Sequence, residues 1–155
     1  VHKRMLRDLG RYTKFFAIDK NASDAKLVST QFSRLMKKCG VKTKKMSDPL
    51  TLELAKIVVD TSYYGWLINY AQISKAISVK HGIDYEEMWS FSDEIHKFLG
   101  NRPKMFPGFI GGHCVIPNLS LIDEELLWQI DKINNSFSKK LKNVKFRNKK
   151  SHKSK

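Results

Sequence analysis

The feature that most constrains this fold is the long stretch that begins at Ser47-Asp48-Pro49, a sequence typical of a helix start. From there to Gly82, Gly65 is the only glycine and no further proline occurs. Apolar or small side chains recur at helical spacing at Leu50, Leu54, Ile57, Val58, Thr61, Tyr64, Ile68 and Ala71. The pattern predicts one helix of about 33 residues and about 50 Å. Because a small domain cannot cover such a helix, we expect it to pack on a second copy or on another domain.

The segments on either side complete a mostly α fold with a small α/β part. Residues 14–18, KFFAI, suit a buried strand, a helix capped by Asn21 or Ser23 follows and stops at Gly40, and residues 41–46 suit an edge strand. Strand, helix and strand in this order predict one βαβ step of a parallel sheet. Downstream, we expect a helix from Asp84 to Leu99, a loop over 101–118 and a final helix from about Leu121 to Leu141.

Composition excludes several classes of protein. The chain has 155 residues, 41% of them hydrophobic, which is ordinary for one globular domain. It has no apolar run of the roughly 18 residues that a membrane span needs, and it does not open on a signal peptide, so we expect a cytoplasmic protein. Residue 1 is Val, so further sequence is expected upstream.

The net charge of +14 is concentrated at one end. Residues 139–155 hold nine Lys and Arg and no acid, which leaves +5 for the rest (14 − 9). We predict a basic, disordered tail over 142–155 that can touch polyanions, and we do not expect a specific nucleic-acid function.

The two cysteines lie in dissimilar contexts. Cys39 ends an amphipathic helix and is interpreted as a small hydrophobe. Cys114 lies in MFPGFIGGHCVIPN, residues 105–118, where two glycines precede it and prolines stand on both sides. Such a loop brings backbone N–H groups close to a ligand and presents a thiol. No metal-ligand spacing is present, and reduced thiols are expected.

Acidic and basic residues follow one face of the long helix. LELAKIVVDTSYYG places Glu53, Lys56 and Asp60 on neighbouring turns. On pattern alone this is a surface ion-pair ladder. Three motifs together give a second interpretation: E-L-A-K with T-S-Y-Y-G, then F-L-G-N-R-P, then G-G-H-C with a proline shortly after. Over roughly residues 50–118 the chain resembles the UDP-glucose/GDP-mannose dehydrogenase family, which oxidises the C6 alcohol of a nucleotide sugar to a carboxylate with two NAD⁺.

The resemblance implies roles for five residues. Cys114 matches the covalent catalyst, whose thiolate attacks the aldehyde intermediate and forms a thiohemiacetal and then a thioester. Lys56 matches the family's lysine, whose positive charge stabilises the thiolate and the developing oxyanion. The N–H groups of Gly111 and Gly112 would approach the sugar, and Arg102 matches a basic substrate-binding position.

Two positions depart from the family pattern. The family usually has an asparagine where this chain has Asp60, and an aspartate where this chain has Asn118. If both side chains meet at the active site, the exchange keeps one carboxylate and one amide there. We therefore include Asp60 and Asn118 among the catalytic residues.

The resemblance also implies three parts. Residues 1–46 match the C-terminal remnant of a dinucleotide-binding α/β domain, 47–141 a helical catalytic and dimerisation domain, and 142–155 the tail. The chain contains no G-x-G-x-x-G, so NAD is expected to be bound mainly by a domain upstream or on another chain, and the residues that bind it are unknown. The partners implied are a nucleotide sugar and a second copy of the chain. The alternative is a noncatalytic dimerisation or polyanion-binding module descended from that family.

Overall fold

The computed structural model describes the backbone of residues 5–151 and the side chains of residues 7–140. It confirms the predicted fold class, since the protein is mostly helical with a small parallel sheet of two strands. The chain forms two compact units, Val1–Lys56 and Ile57–Lys155.

The first unit contains the predicted strand, helix and strand. Its elements are α1 (Met5–Arg11), β1 (Lys14–Phe16), α2 (Ala25–Lys38) and β2 (Thr43–Lys45). The two strands pair in parallel with Phe15 opposite Lys44, and the rings of Phe16 and Phe32 lie 4.7 Å apart, so α2 packs on one face of the sheet. Gly40 follows α2 with φ +71°, which confirms the predicted helix end.

The start of α2 differs from the prediction. Asp24 is the capping residue, and its side chain makes no capping hydrogen bond. The predicted cap Asn21 instead donates its backbone N–H to Asp19 Oδ1, at 2.8 Å, in the turn that precedes the helix. Local bonding of an Asp side chain to the chain two residues on favours a turn over a helix, which delays the helix.

The long stretch is helical without a break, as predicted, but it is not a regular α-helix. It consists of α3 (Pro49–Leu54), a π-helical segment (Ala55–Ser62) and α4 (Tyr63–His81). The Asp48 side chain accepts the backbone N–H of Thr51 at 2.9 Å, and this hydrogen bond lowers the pKa of Asp48. Gly82, with φ +67°, ends the stretch.

The core of the second unit combines helices with the long loop. Its helices are α4, α5 (Tyr85–Leu99), α6 (Ile116–Leu119) and α7 (Glu125–Ser151). The buried cluster takes Ile110 and Val115 from the loop, Leu119 from α6, and Leu127 and Ile130 from α7. The loop over 101–115 therefore contributes two residues, Ile110 and Val115, to the core.

A glycine brings α4 and α7 close together. A Cβ on Gly65 would lie 3.0 Å from Ile130 Cγ2 and 3.1 Å from Val115 Cγ1. Contacts this short are tighter than nine in ten real Cβ contacts, so a side chain here requires both neighbours to shift by a few tenths of an ångström. Gly65 is thus the point where α4, α7 and the residue after Cys114 meet.

The end of the chain corrects two predictions. The last helix begins at Glu125 rather than near Leu121, because α6 and a short turn take up the preceding residues. It continues to Ser151, through most of the tail predicted to be disordered, and that part of the sequence contains no glycine or proline to stop it. Residues 152–155 of the predicted tail lie outside the described residues.

Within the part of the chain that the structure describes, no helix combines the length and the apolar character that crossing a membrane requires.

Candidate active site

Cys114 lies on a short exposed arch with both ends fixed in the core. We define the arch as residues 111–114, all of them exposed. Ile110 before it and Val115 after it are only 4% and 7% exposed, and both belong to the same buried cluster. A segment this short with both ends anchored has few conformations, so the exposed thiol is held in a restricted region of the surface.

The two glycines of the arch have different roles. Gly112 has φ +85°, a backbone conformation that side chains disfavour, whereas a Cβ on Gly111 would lie 3.7 Å from the Phe109 ring, an ordinary contact. We expect Gly112→Ala to lower the free energy of unfolding by about 1–2 kcal/mol and Gly111→Ala to change it by less than about 0.5 kcal/mol. Urea denaturation measures both values, and equal effects would contradict this geometry.

The arch also presents backbone donors. In the described part of the chain, the N–H groups of Gly111 and Gly112 donate to no protein acceptor. Both residues are exposed, and they lie three and two positions before Cys114 in the chain. Two N–H groups next to a nucleophile are the usual components of an oxyanion-binding site.

Asn118 is bound to the main chain of the cysteine. Its Nδ2 donates to the Cys114 carbonyl oxygen at 2.6 Å, from the short helix α6 that follows the arch. A carboxylate at this position has no proton to donate and would repel the carbonyl. The structure thus gives a physical reason for an amide at position 118.

Lys56 and Asp60 lie on the π-helical segment. Both are exposed there, whereas the next two residues, Thr61 and Ser62, are buried. Lys56 is the last residue of the first unit, and Asp60 belongs to the second unit with Cys114. Short π-helical insertions occur frequently at functional sites, and this one coincides with both predicted catalytic residues of the helix.

Arg102 is exposed on the loop after α5. Its Nη1 donates to Asn101 Oδ1 at 2.6 Å, and its backbone N–H donates to His96 Nδ1 at 2.9 Å. The half-buried His96 therefore fixes the backbone at the predicted substrate-binding residue. Sequence reasoning gave His96 no role, because its partner is a main-chain group that leaves no pattern in the sequence.

A lysine fastens the same loop to α5. Lys104 Nζ donates to the Glu86 carboxylate and lies 3.4 Å from Asp93 Oδ2. The hydrogen bond to Glu86 raises the pKa of Lys104 above its ordinary value. The loop that leads to the arch is therefore bonded to α5 at two residues, Arg102 and Lys104.

The largest omission from the sequence analysis is a group of three buried amides. Asn69 and Gln72 of α4 are fully buried, and Asn134 of α7 is 1% exposed. They bind each other and the backbone of the loop before the arch. All three are polar residues inside helices that also carry apolar side chains, and only the packing shows that the three amides face inward.

The comparisons with known proteins add no relative. No family model matches the chain, and neither curated proteins nor solved structures give a significant match. Among the described residues, no group of three or more His, Cys, Asp and Glu side chains could hold a metal ion.

Proposed function

We propose that this chain is the thiol-bearing catalytic and dimer-forming part of an NAD-dependent nucleotide-sugar 6-dehydrogenase. The observation that supports this most is the exposed Cys114 on an arch whose flanking residues are buried. The same arch carries the N–H groups of Gly111 and Gly112, which donate to no acceptor among the described residues. The sequence resemblance to the UDP-glucose/GDP-mannose dehydrogenase family supplies the reaction. A cysteine held this way suits covalent catalysis better than it suits packing.

The proposed chemistry of this chain is addition of the thiol to an aldehyde. The Cys114 sulfur bonds to the carbonyl carbon, the π electrons of the carbonyl move to its oxygen, and that oxygen takes up the proton that the thiol has lost. The N–H groups of Gly111 and Gly112 stabilise the oxygen as negative charge develops. Asp60 and Asn118, which belong to the same unit as Cys114, are the further residues of the proposed site, and Arg102 is the proposed substrate-binding residue. Lys56 keeps only the role that the resemblance implies for it.

The described residues do not fit the binding of NAD. The turn from β1 into α2, residues 17–24, contains no glycine and carries the carboxylates Asp19 and Asp24. A dinucleotide pyrophosphate needs close backbone approach and no negative charge at such a turn. We therefore propose that the hydride acceptor is bound by a domain other than the described part of this chain.

The exposed face of α4 supports the dimer. Apolar side chains repeat there at alternating intervals of three and four residues, the spacing of helices that pair along a seam. We call this set the apolar stripe: Tyr63, Tyr70, Ile73 and Ile77, which are exposed, and Trp66, which is half-buried and packs against the buried cluster. Tyr70 is 65% exposed and Ile77 47%, although both are apolar or aromatic. We propose that the apolar stripe packs against its counterpart in a second copy.

The apolar stripe alone would also support the second candidate, a noncatalytic dimerisation module derived from the same family. The two candidates differ in what they require of Cys114. An enzyme needs a thiol that binds an aldehyde substrate specifically, whereas a dimerisation module does not. A test at the sulfur therefore separates them.

Protection of Cys114 from alkylation tests the enzyme proposal. The 155-residue protein is incubated with a UDP- or GDP-linked sugar 6-aldehyde and then with iodoacetamide, and mass spectrometry quantifies each cysteine. We expect the aldehyde to slow alkylation of Cys114 several-fold, because the sulfur is engaged in the thiohemiacetal. Cys39, which is exposed in the first unit, is the internal control and should react at an unchanged rate.

Two further arms make the result specific. The nucleotide sugar with its ordinary C6 alcohol cannot form the adduct and should protect less. A simple aldehyde without a nucleotide reports on reactivity alone. Equal protection of both cysteines, or none at Cys114, would rule out the proposed enzyme and favour the dimerisation module.

A further inference from the structure

The backbone of Ile110, just ahead of the arch, is bound by a side chain of α7. Asn134 Oδ1 accepts the N–H of Ile110 at 2.8 Å, and Asn134 Nδ2 donates to the Ile110 carbonyl oxygen at 3.0 Å. This is the pair of bonds that two opposed residues exchange in a β-ladder. The side chain of α7 thus takes the place of a neighbouring strand for one residue of the loop.

A second amide extends the contact. Gln72 Nε2 donates to the Gly108 carbonyl oxygen at 2.7 Å and to Asn134 Oδ1 at 3.0 Å, and Asn69 Nδ2 donates to Gln72 Oε1 at 2.9 Å. We call Gln72 and Asn134 the amide clamp. It bonds Gly108 and Ile110, on either side of the exposed Phe109, and joins α4, α7 and the loop.

The chemistry of the clamp requires amides. Each clamp side chain donates and accepts at once, and neither brings a charge into the interior. A buried amide without these partners would be costly, so the network is stable only when the loop backbone occupies its observed position. The Ile110 side chain, also buried, fixes the same residue a second time.

We propose that Asn134 and Gln72 are positioning residues for Cys114, because they fix the backbone from which the arch rises. This inference rests on the proposed function only in naming Cys114 as the nucleophile. The clamp touches no reacting atom. Its effect reaches the sulfur through Ile110 and the four-residue arch, and Val115 holds the other end.

The test compares Asn134→Asp with Asn135→Asp. Asn135 is the exposed neighbour on α7, so the two variants carry the same chemical change one residue apart. The introduced carboxylate at 134 still accepts from Ile110 but cannot donate to its carbonyl oxygen. At pH 7.5 we expect the protection factor of the Ile110 amide against hydrogen exchange to fall at least about tenfold. We expect the ratio of the Cys114 to the Cys39 alkylation rate to change several-fold.

Lowering the pH should reverse the effect in that variant alone. Burial raises the pKa of the introduced carboxyl above the unfolded value of about 3.9. A group whose pKa is raised by folding stabilises the fold below its unfolded pKa, and this is lost as pH rises through the folded pKa. Near pH 4 the protonated carboxyl can again donate to the Ile110 oxygen, so the protection factor should return towards that of the unsubstituted protein. Asn135→Asp should show no such recovery.

Gln72→Glu provides a second variant should Asn134→Asp fail to fold. It keeps the acceptor for Asn69 but removes the donor to Gly108, and we expect a smaller loss of protection confined to the same loop. Loss of protection spread evenly over α4 and α7, with an unchanged ratio of cysteine alkylation rates, would reduce the clamp to a structural element and overturn the proposal.

The outcome is independent of the proposed enzyme activity. If the sugar aldehyde fails to protect Cys114 but Asn134→Asp alters the arch, the proposed function falls and the positioning role stands. If the aldehyde protects Cys114 and the arch is unaffected in both clamp variants, the proposed function is supported and the positioning role is ruled out.

Discussion

Replacing Gly65 by valine is expected to lower the free energy of unfolding of the second unit by about 3 kcal/mol, near the upper end for overpacking of a core. The first added carbon would already lie 3.0 Å from Ile130 Cγ2 and 3.1 Å from Val115 Cγ1. Ile130 has no exposed surface, so it has little room to move away. Chemical denaturation monitored by helix signal measures the change, and the Val115 contact should also disturb the arch.

Gly10→Ala is the matched control for the general effect of alanine in a helix. Gly10 lies in α1, and a Cβ there meets nothing within 4 Å, so alanine should stabilise the first unit by up to about 1 kcal/mol. Gly65→Ala should instead destabilise the second unit despite the same gain in helix propensity. In the Gly65→Ala protein, Val115→Ala should lower the free energy of unfolding by less than it does in the unsubstituted protein, because it relieves the close contact between residues 65 and 115. A stabilising Gly65→Ala would contradict the close packing of α4 and α7.

Much of the fold could be predicted from local signals. The predicted helices stop at or just before Gly40, Gly82 and Gly100, and all three glycines have the left-handed conformation that is common at helix ends. Asp48 before Pro49 marks the start of the long helical stretch through a capping bond that involves neighbours only. Helix ends of this kind depend on residues within one turn, so they can be predicted from the sequence.

The orientation of α4 could not be predicted in this way. Amphipathic spacing indicates which residues share a face, but the usual assumption that the apolar face is buried fails here. Asn69 and Gln72 point into the core, whereas Tyr70 lies at the surface. The partners of Gln72 outside α4 are Gly108 and Asn134, which are 36 and 62 residues away in the chain and so beyond the reach of any local pattern.

Some residues of the candidate site could likewise be selected from the sequence, whereas the roles of others depend on packing. The glycines and Cys114 could be selected from the sequence because their residue types are themselves unusual in that order. The role of Val115 as an anchor and of Asn118 as a donor to the Cys114 carbonyl depends on packing. The relation between Lys56 and Cys114, which lie in different units, stays a prediction of the resemblance.

Tyr70→Glu is expected to raise the dissociation constant of the proposed homodimer by about 1,000-fold. Burying an unpaired charge at a hot-spot position costs about 2 kcal/mol, and a two-fold dimer carries the substitution twice, which gives about 4 kcal/mol. Tyr70 is central in the apolar stripe, with two members on either side. Sedimentation over a range of protein concentrations measures the dissociation constant directly.

Val79→Glu is the control on the same helix. Val79 is 44% exposed but lies outside the three- and four-residue spacing of the apolar stripe, so its substitution should leave the dissociation constant within a few-fold of the original. Both variants place the same charge on α4, so only a dimer formed through the apolar stripe predicts that Tyr70→Glu raises the dissociation constant far more than Val79→Glu does. If both variants raised the dissociation constant equally, the dimer would not form by packing of the apolar stripe against its counterpart in a second copy. An unsubstituted protein that stays monomeric at high concentration would remove the dimer altogether, while leaving the thiol chemistry of Cys114 to be decided by its own test.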